Sequence, residues 1–346
     1  MRNLIFAVII LAIAFFNYVY PLNILAHLLF EAKLVEPLSI IPTLIVALIV
    51  FAYFRTHSTS PLLKGFCYYG MGMGFLGFFI FNLGLIASLA IPEFTFEIGL
   101  ICLVVFVFVC VRSLQNGQSI HVKKIQITSP KIKDHLNLIF ISDVHLGSNP
   151  RQHLERICRE IQGLEYDYLL IGGDLFDSTS FVAQDLTPLK AIEKPILFVT
   201  GNHEYYVRSH EDKLADLTNY NMTVLNNESV QFDRLNIIGV SDNQSPKTQS
   251  EIARGLVIQD AFNLLLVHQP SIWETIPENT DLMLSGHTHN GQIFPFNFLV
   301  RLQFKTVYGL YKRLNSTLYV SSGSGTWGPR MRLGTKNEIV QISLSP

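Results

Sequence analysis

The stretch Tyr168-Leu169-Leu170-Ile171-Gly172-Gly173-Asp174-Leu175-Phe176-Asp177 sets the pattern for the C-terminal two thirds of this chain. A short apolar run with the composition of a buried strand stops at two glycines, and a carboxylate follows at once. The same arrangement recurs on both sides. Residues 138–142 lead into Asp143-Val144-His145 and residues 195–200 into Gly201-Asn202-His203-Glu204; residues 262–268 end in His268, and 281–285 lead into Gly286-His287-Thr288-His289. Five strands therefore each deliver an oxygen or imidazole donor at or just beyond a C-terminal end, the edge at which open α/β sheets bind ligands. Further extended runs at 235–240, 318–320 and 338–344 join them. Leu154, Ile157, Cys158, Ile161 and Leu164 recur at helical spacing between the first two motif strands, which predicts α/β layers around a partly parallel core.

The donors are carboxylates, one amide and imidazoles, a set suited to one or two divalent first-row metals. Cysteine takes no part. Cys67, Cys102, Cys110 and Cys158 show no CxxC or framework spacing and read as apolar fillers. Asp143 and His145, two apart in an extended segment, would project the same way and hold one metal. Asp174 has the two oxygens and the charge to bridge two. Asn202 offers a neutral oxygen beside an anionic substrate, and His268, His287 and His289 complete the set. Two cations would acidify a water and neutralise developing phosphoryl charge. His203 is placed to protonate the leaving oxygen as a general acid, with Asp177 fixing its tautomer. The glycines at 172, 173, 201 and 286 permit tight turns and close backbone approach. His27, His57, His153 and His210 read as exposed or interfacial histidines without a role.

Before Arg112 the chain is nearly free of charge. Overall it is 49% hydrophobic and only 15% charged, against about 25% charged in an ordinary soluble domain. Four apolar stretches, 4–20, 38–54, 68–91 and 98–111, read as membrane-spanning helices, with Tyr18, Tyr20, Tyr53, Tyr68 and Tyr69 as interfacial aromatics. Gly70, Gly72, Gly74 and Gly77 would let helices approach closely. The first stretch follows Met1-Arg2, but it is long and lacks a small-x-small site, so it reads as a span rather than a cleaved signal. Arg2, Arg55, Lys64, Arg112, Lys123 and Lys124 fall on one side of these spans and only Lys33 on the other, which puts both termini in the cytoplasm. The chain thus divides into a transmembrane helical domain, 1–116, and a catalytic domain, 117–346. With 26 basic and 27 acidic residues and a net charge of −1, it has no footprint of a nucleic-acid binder.

The motifs DVH, GGDLFD, GNHE, VH and GHTHNGQ together resemble the calcineurin-like metallophosphoesterase superfamily over roughly residues 135–346. The resemblance implies a β-sandwich flanked by helices. It also implies one metal held by Asp143, His145, Asp174 and His289, and a second held by Asp174, Asn202, His268 and His287. His203 matches the family's catalytic histidine and Asp177 its orienting partner. Asn290 stands where many members have glycine, and asparagine tolerates a left-handed backbone. The tail, with Gly-Gln-Ile-Phe-Pro-Phe and Ser-Gly-Ser-Gly-Thr-Trp-Gly-Pro-Arg, is similar to a membrane-associated branch that includes bacterial UDP-2,3-diacylglucosamine hydrolases of the lipid A pathway.

The expectation is therefore an α/β enzyme with four N-terminal transmembrane helices and two divalent ions (Mn, Zn or Fe). It would sit in the inner membrane, with its catalytic domain facing the cytoplasm, and hydrolyse a lipid-linked phosphoester or pyrophosphate. UDP-2,3-diacylglucosamine, giving UMP and a lipid phosphate, is the specific candidate. The rivals are a tethered phosphodiesterase of soluble nucleotides or other phospholipids, and a membrane signalling module with a regulatory phosphoesterase domain. Arg330 and Arg332 are expected to bind substrate phosphate bidentately. The aromatic and basic residues of 294–311 are expected to meet lipid or to pack internally.

Overall fold

The computed structural model describes residues 2–34, 37–56, 60–178 and 181–346; His57 lies outside them. By internal packing the chain separates into two compact units. One comprises Met1–Gln115 with Gly328–Met331, the other Asn116–Trp327 with Arg332–Pro346. A single linear division after residue 116 does not anticipate the assignment of Gly328–Met331 to the first unit.

In the first unit, among the described residues, four helical stretches are long and apolar enough to cross a membrane: Ile5–Phe30, Pro37–Arg55, Pro61–Ala90 and Pro92–Gln118. All four run past the apolar stretches read from sequence. Backbone hydrogen bonding carries the first helix through Asn17 and His27 and the fourth through Arg112, because a helix ends where capping or chain geometry stops it, not where hydropathy falls. Ser60 caps the third, its hydroxyl accepting from the Leu63 amide. Only 11–28% of each apolar window is buried, so these helices leave most of their leucine, isoleucine and phenylalanine outward. That is costly in water and ordinary in lipid.

Close approach between these helices depends on glycine. A Cβ on Gly74 would overlap the carbonyl oxygen of Asn17, and one on Gly70 would overlap the Tyr18 ring. Asn17 and Tyr18 belong to a π-helical turn, Phe15–Val19, inside the first helix. The Tyr18 hydroxyl donates to the Cys67 carbonyl at 2.6 Å, and that of Tyr20 to Asn82 Oδ1 at 3.3 Å, so these polar groups find protein partners.

Among the described residues the second unit has twelve strands: β1 (Ile120–Thr128), β2 (Leu136–Ile141), β3 (Tyr168–Gly172), β4 (Ile196–Val199), β5 (Met222–Val224), β6 (Glu228–Phe232), β7 (Leu235–Val240), β8 (Phe262–Val267), β9 (Thr280–Ser285), β10 (Gly309–Arg313), β11 (Ser316–Val320) and β12 (Asn337–Ser345). They form two six-stranded sheets, ordered β1-β12-β2-β3-β4-β5 and β10-β11-β9-β8-β7-β6. The pairs β12–β2, β10–β11 and β6–β7 are antiparallel and the others parallel. Phe140, Leu170, Leu197, Leu264, Leu282 and Val340 pack between the sheets. Helices cover the outer faces, so this is a β-sandwich flanked by helices with a partly parallel core. The helix Arg151–Gln162 shows how the pattern works: Leu154, Ile157 and Ile161 are fully buried against the first sheet, each stabilising the fold by about 1.5–3 kcal/mol. His153, expected to be exposed or interfacial, is buried on the same helix face, with Nε2 2.7 Å from the Ser324 carbonyl.

Candidate metal centre

Parallel pairing brings the C-terminal ends of β2, β3 and β4 to one edge of the first sheet, and those of β7, β8 and β9 to one edge of the second. The loops beyond β2 and β3 run side by side. The amides of Asp143, His145 and Leu146 donate to the carbonyls of Gly173, Asp174 and Leu175 at 2.9–3.0 Å. Within the second sheet's edge the amide of Gly286 donates to His268 O at 2.9 Å, and across the sandwich that of Ser324 donates to Ser142 O at 2.7 Å.

The expected extended geometry of Asp143 and His145 is not what the chain uses. Both are left-handed (φ 54° and 52°), as are Asp174 (53°), His287 (71°) and His289 (48°). Side-chain-bearing residues pay of order 1–2 kcal/mol for this conformation, and such strain concentrates at functional sites. Gly173, at φ +90°, is required twice over: a Cβ there would lie 2.6 Å from His268 Nδ1 and 2.7 Å from the Gly201 nitrogen.

Among the described residues the donor atoms fall into three groups, each within 4.8 Å: Asp143, His145 and His289; His145, Asp174 and His203; Asp174, His268 and His287. Asp174 Oδ2 lies 3.1 Å from His268 Nε2, 3.7 Å from His145 Nε2 and 4.0 Å from His203 Nε2. His145 Nε2 faces His289 Nε2 at 3.1 Å, and His287 Nδ1 faces His268 Nε2 at 3.2 Å. Asn202 Oδ1 is buried with no hydrogen-bond donor, a costly state for an amide oxygen unless a cation takes that place. Facing imidazole nitrogens, two buried carboxylates and an orphaned amide oxygen fit the chemistry of a divalent cation site.

A surrounding set of contacts fixes the donors. His268 Nδ1 lies 2.8 Å from the Gly172 carbonyl. Donation there leaves Nε2 to face the cluster, the usual way a ligating histidine is oriented. Asp177 lies with Oδ2 3.1 Å from His145 Nδ1, close enough for an ion pair although off the line of a good hydrogen bond. Its carboxylate also accepts from the Ser148 amide (2.8 Å) and hydroxyl (2.5 Å). The Ser142 hydroxyl donates to Asp143 Oδ2 at 2.6 Å, and the His287 amide donates to Asp143 Oδ1 at 3.0 Å.

Electrostatics follow from burial and proximity. Burial works to raise the Asp174 carboxyl, but His268 and then His145 outweigh it and hold Asp174 well below the usual carboxylate range. Conversely, burial opposes charge on His268, and Asp174 overrides it and raises that imidazole. Burial, reinforced by His268, pushes His287 down to about 3. Burial and His145 push His203 down to about 4. Neutral rings keep their lone pairs free for a cation.

Two expectations need correction. Asp177 does not orient His203; it engages His145, because the loop after β3 runs beside the loop after β2. Arg332 is not free to clamp a phosphate. It is wholly buried, and its five N–H groups all meet protein acceptors: Asn337 Oδ1, His289 O, Thr335 Oγ1, Ser322 O and Gly325 O, at 2.5–3.3 Å. Its Nη2 also lies 3.4 Å from His289 Nδ1, so Arg332 braces the loop carrying that histidine. Arg330 belongs to the Gly328–Met331 segment of the other unit, with Nε buried and lacking a hydrogen-bond partner.

Sequence reasoning passed over Glu204. Fully buried, its Oε2 accepts from the amides of Asp174 (3.0 Å) and Gly201 (2.7 Å), and its Oε1 from that of Phe176 (3.1 Å). Burial, with Asp174 nearby, pushes this carboxyl up to about 7. The signal was present: a glutamate at the third position of a helix start is placed to accept backbone amides. Trp327, half-exposed with its ring centroid 5.9 Å from that of His203, carried no comparable signal.

Residues 136–291 match the family model of the calcineurin-like phosphoesterases. An uncharacterized metallophosphoesterase of Helicobacter pylori is 38% identical over 237 residues, covering 65% of this chain and 64% of its own length. One from Campylobacter jejuni is 34% identical over 271 residues, covering 72% and 69%. A Bos taurus transmembrane protein with metallophosphoesterase domain is 33% identical over 241 residues, covering 62% and 54%. The chain spans just under two thirds of the length of the Helicobacter relative. It belongs to the calcineurin-like metallophosphoesterase family.

Proposed function

We propose that this calcineurin-like phosphoesterase is a multi-pass membrane hydrolase that holds two divalent cations and cleaves a phosphoester or pyrophosphate bond of a lipid-linked substrate. The carrying observation is the position of Asp174, whose carboxylate belongs to two of the donor groups and sits between them. Asp143, His145, Asp174 and His289 would hold one cation, and Asp174, Asn202, His268 and His287 the other. Manganese, zinc and iron all suit such donors. When bound, these ions supply Lewis acidity and neutralise phosphoryl charge.

The remaining chemistry belongs to the chain's own residues. His203, at the rim of the cluster with a part-exposed side chain, protonates the leaving oxygen. An arriving phosphate anion pulls its imidazole up from the low value set by burial and His145. Asp177 and the Gly172 carbonyl keep His145 and His268 in the tautomers that face the metals. Glu204 ties the Asp174 loop to the Asn202 helix.

Four apolar helices in the same chain favour a substrate that stays in the bilayer, and the distribution of basic residues favours the cytoplasmic leaflet of an inner membrane. UDP-2,3-diacylglucosamine is the specific candidate that follows from the tail motifs; the relatives' names carry no substrate. The full chain in lipid nanodiscs should be offered this lipid, a deacylated analogue and a soluble phosphodiester, with products identified by mass spectrometry. Preferential release of UMP from the acylated substrate supports lipid A chemistry. Equal turnover of soluble and lipid-linked substrates overturns the lipid-linked reading. Labelling of single cysteines placed near Gln118 and Glu93 from either side of sealed vesicles tests the orientation, and an outward-facing Gln118 contradicts it.

A further inference from the structure

The helix Phe296–Gln303 follows the last candidate metal-binding histidine by a few residues, and none of its residues is fully buried. Phe298 is 57%, Leu299 56% and Leu302 84% exposed. These three lie at i, i+1 and i+4 on one helix face, and the half-exposed Phe294 packs its ring edge against Phe298, centroids 5.7 Å apart. Leu310 and Lys312 then point outward together on β10, which alternates half-buried and exposed residues. An eight-residue helix normally exists because one face is covered; among the described residues nothing covers this face.

Charge indicates what covers it. Between Asp281 and Glu338 the sequence contains no acidic residue, and Arg301, Lys305 and Lys312 are the cations on and beside this face. Arg301 and Lys305 line a cavity of about 440 Å³ together with Asn290, Phe304, Tyr308 and Tyr311. The Phe304 ring stands 5.3 Å from that of His287, so the cavity opens beside the candidate metal centre. Apolar side chains rimmed by unopposed cations match an anionic lipid surface, where leucine and phenylalanine enter the acyl boundary and arginine and lysine meet headgroups. A second copy of the same face would set cation against cation. Chain connectivity agrees: the fourth span's helix ends at Gln118 and β1 starts at Ile120, so this unit is tethered at a bilayer surface.

We propose that the Phe296–Gln303 helix, with Phe294, inserts into the interface of an anionic bilayer and presents the basic cavity to lipid headgroups. This rests on the membrane reading of the N-terminal helices and not on hydrolytic activity. The test uses the full chain in nanodiscs of phosphatidylcholine and phosphatidylglycerol. A nitroxide is attached at Leu302→Cys or, as control, at Lys247→Cys, an exposed position on the helix Pro246–Leu256; the four native cysteines are buried. Power saturation then compares accessibility to oxygen, which partitions into lipid, with accessibility to a polar nickel chelate. The oxygen-to-nickel ratio should be several-fold higher at 302 than at 247, and should fall towards the control when Arg301→Glu and Lys305→Glu are added. Equal ratios at the two sites overturn the insertion. Exclusion of both reagents at 302, with spin–spin broadening between copies, overturns it in favour of a self-interface. A high ratio insensitive to the charge reversals overturns the requirement for anionic lipid. None of these readouts needs turnover.

Discussion

The two units solve opposite problems with the same apolar residues. In the membrane unit Leu48, Leu83, Ile86, Leu89 and Val104 are all at least 64% exposed, and specificity resides in a few close approaches such as Gly74 against Asn17. In the catalytic unit β7 and β8 are buried along their whole length, and the sandwich serves to hold left-handed loops at one edge. Lipid lets the first unit leave its leucines outside; water makes the second bury them, and the rigidity gained there holds Asp143, His145 and Asp174 in a conformation they would not otherwise adopt. Damage should therefore differ in kind: changes at the sheet edge should remove chemistry, and changes among the spans should remove stability.

The largest effect is expected at Asp174. Asp174→Ala deletes the carboxylate common to two donor groups and the oxygen that accepts from the His203 amide at 2.9 Å. Turnover should drop to background and bound metal should fall together with it, both read on the same sample by activity and elemental analysis. Metal retained in full with activity lost would show that Asp174 does not hold a cation.

Next comes His203→Gln, which should lower turnover by roughly 10²–10⁴-fold while bound metal stays constant. The loss should shrink for substrates with acidic leaving groups. Because His203 also lies within reach of His145 and Asp174, a loss of metal would reassign it as a ligand.

Asp177→Asn sharpens the comparison further. Acting through His145, it should weaken metal affinity by roughly 10–100-fold and leave turnover at saturating metal nearly intact. If Asp177 served His203 instead, turnover would fall and affinity would not.

The smallest functional effect is expected in the membrane unit. Gly74→Val forces side-chain atoms onto the Asn17 carbonyl and should destabilise the chain by about 1–3 kcal/mol, seen as a lower thermal midpoint in detergent. Metal affinity should be unchanged; a parallel fall in affinity would break the division of labour between the units.

The clustering of Asp143, His145, Asp174, His268, His287 and His289 was legible in the sequence because each follows a short apolar strand, and strand ends are marked by glycine and by the end of the apolar run. The spans were legible from composition, but their ends were not, since Asn17, His27 and Arg112 continue helices that hydropathy would stop. The partners of the donors were less legible. Asp177 pairs with His145 rather than His203 because two loops run side by side, a contact between residues 32 positions apart that local spacing does not encode. Arg332 looked like a phosphate ligand in a glycine-rich turn, yet the acceptors that consume it come from three separate stretches of chain. His153 shows the same limit: it read as an exposed or interfacial histidine, and the neighbouring Ser324 loop, 171 positions away, explains its burial.

Metal dependence tests the central claim most directly. The full chain should be stripped with a chelator until elemental analysis finds no divalent metal, then assayed against a phosphodiester before and after addition of Mn²⁺, Zn²⁺ or Fe²⁺. The account predicts no turnover in the stripped protein and recovery that saturates with bound metal. Full turnover by verified metal-free protein would contradict it.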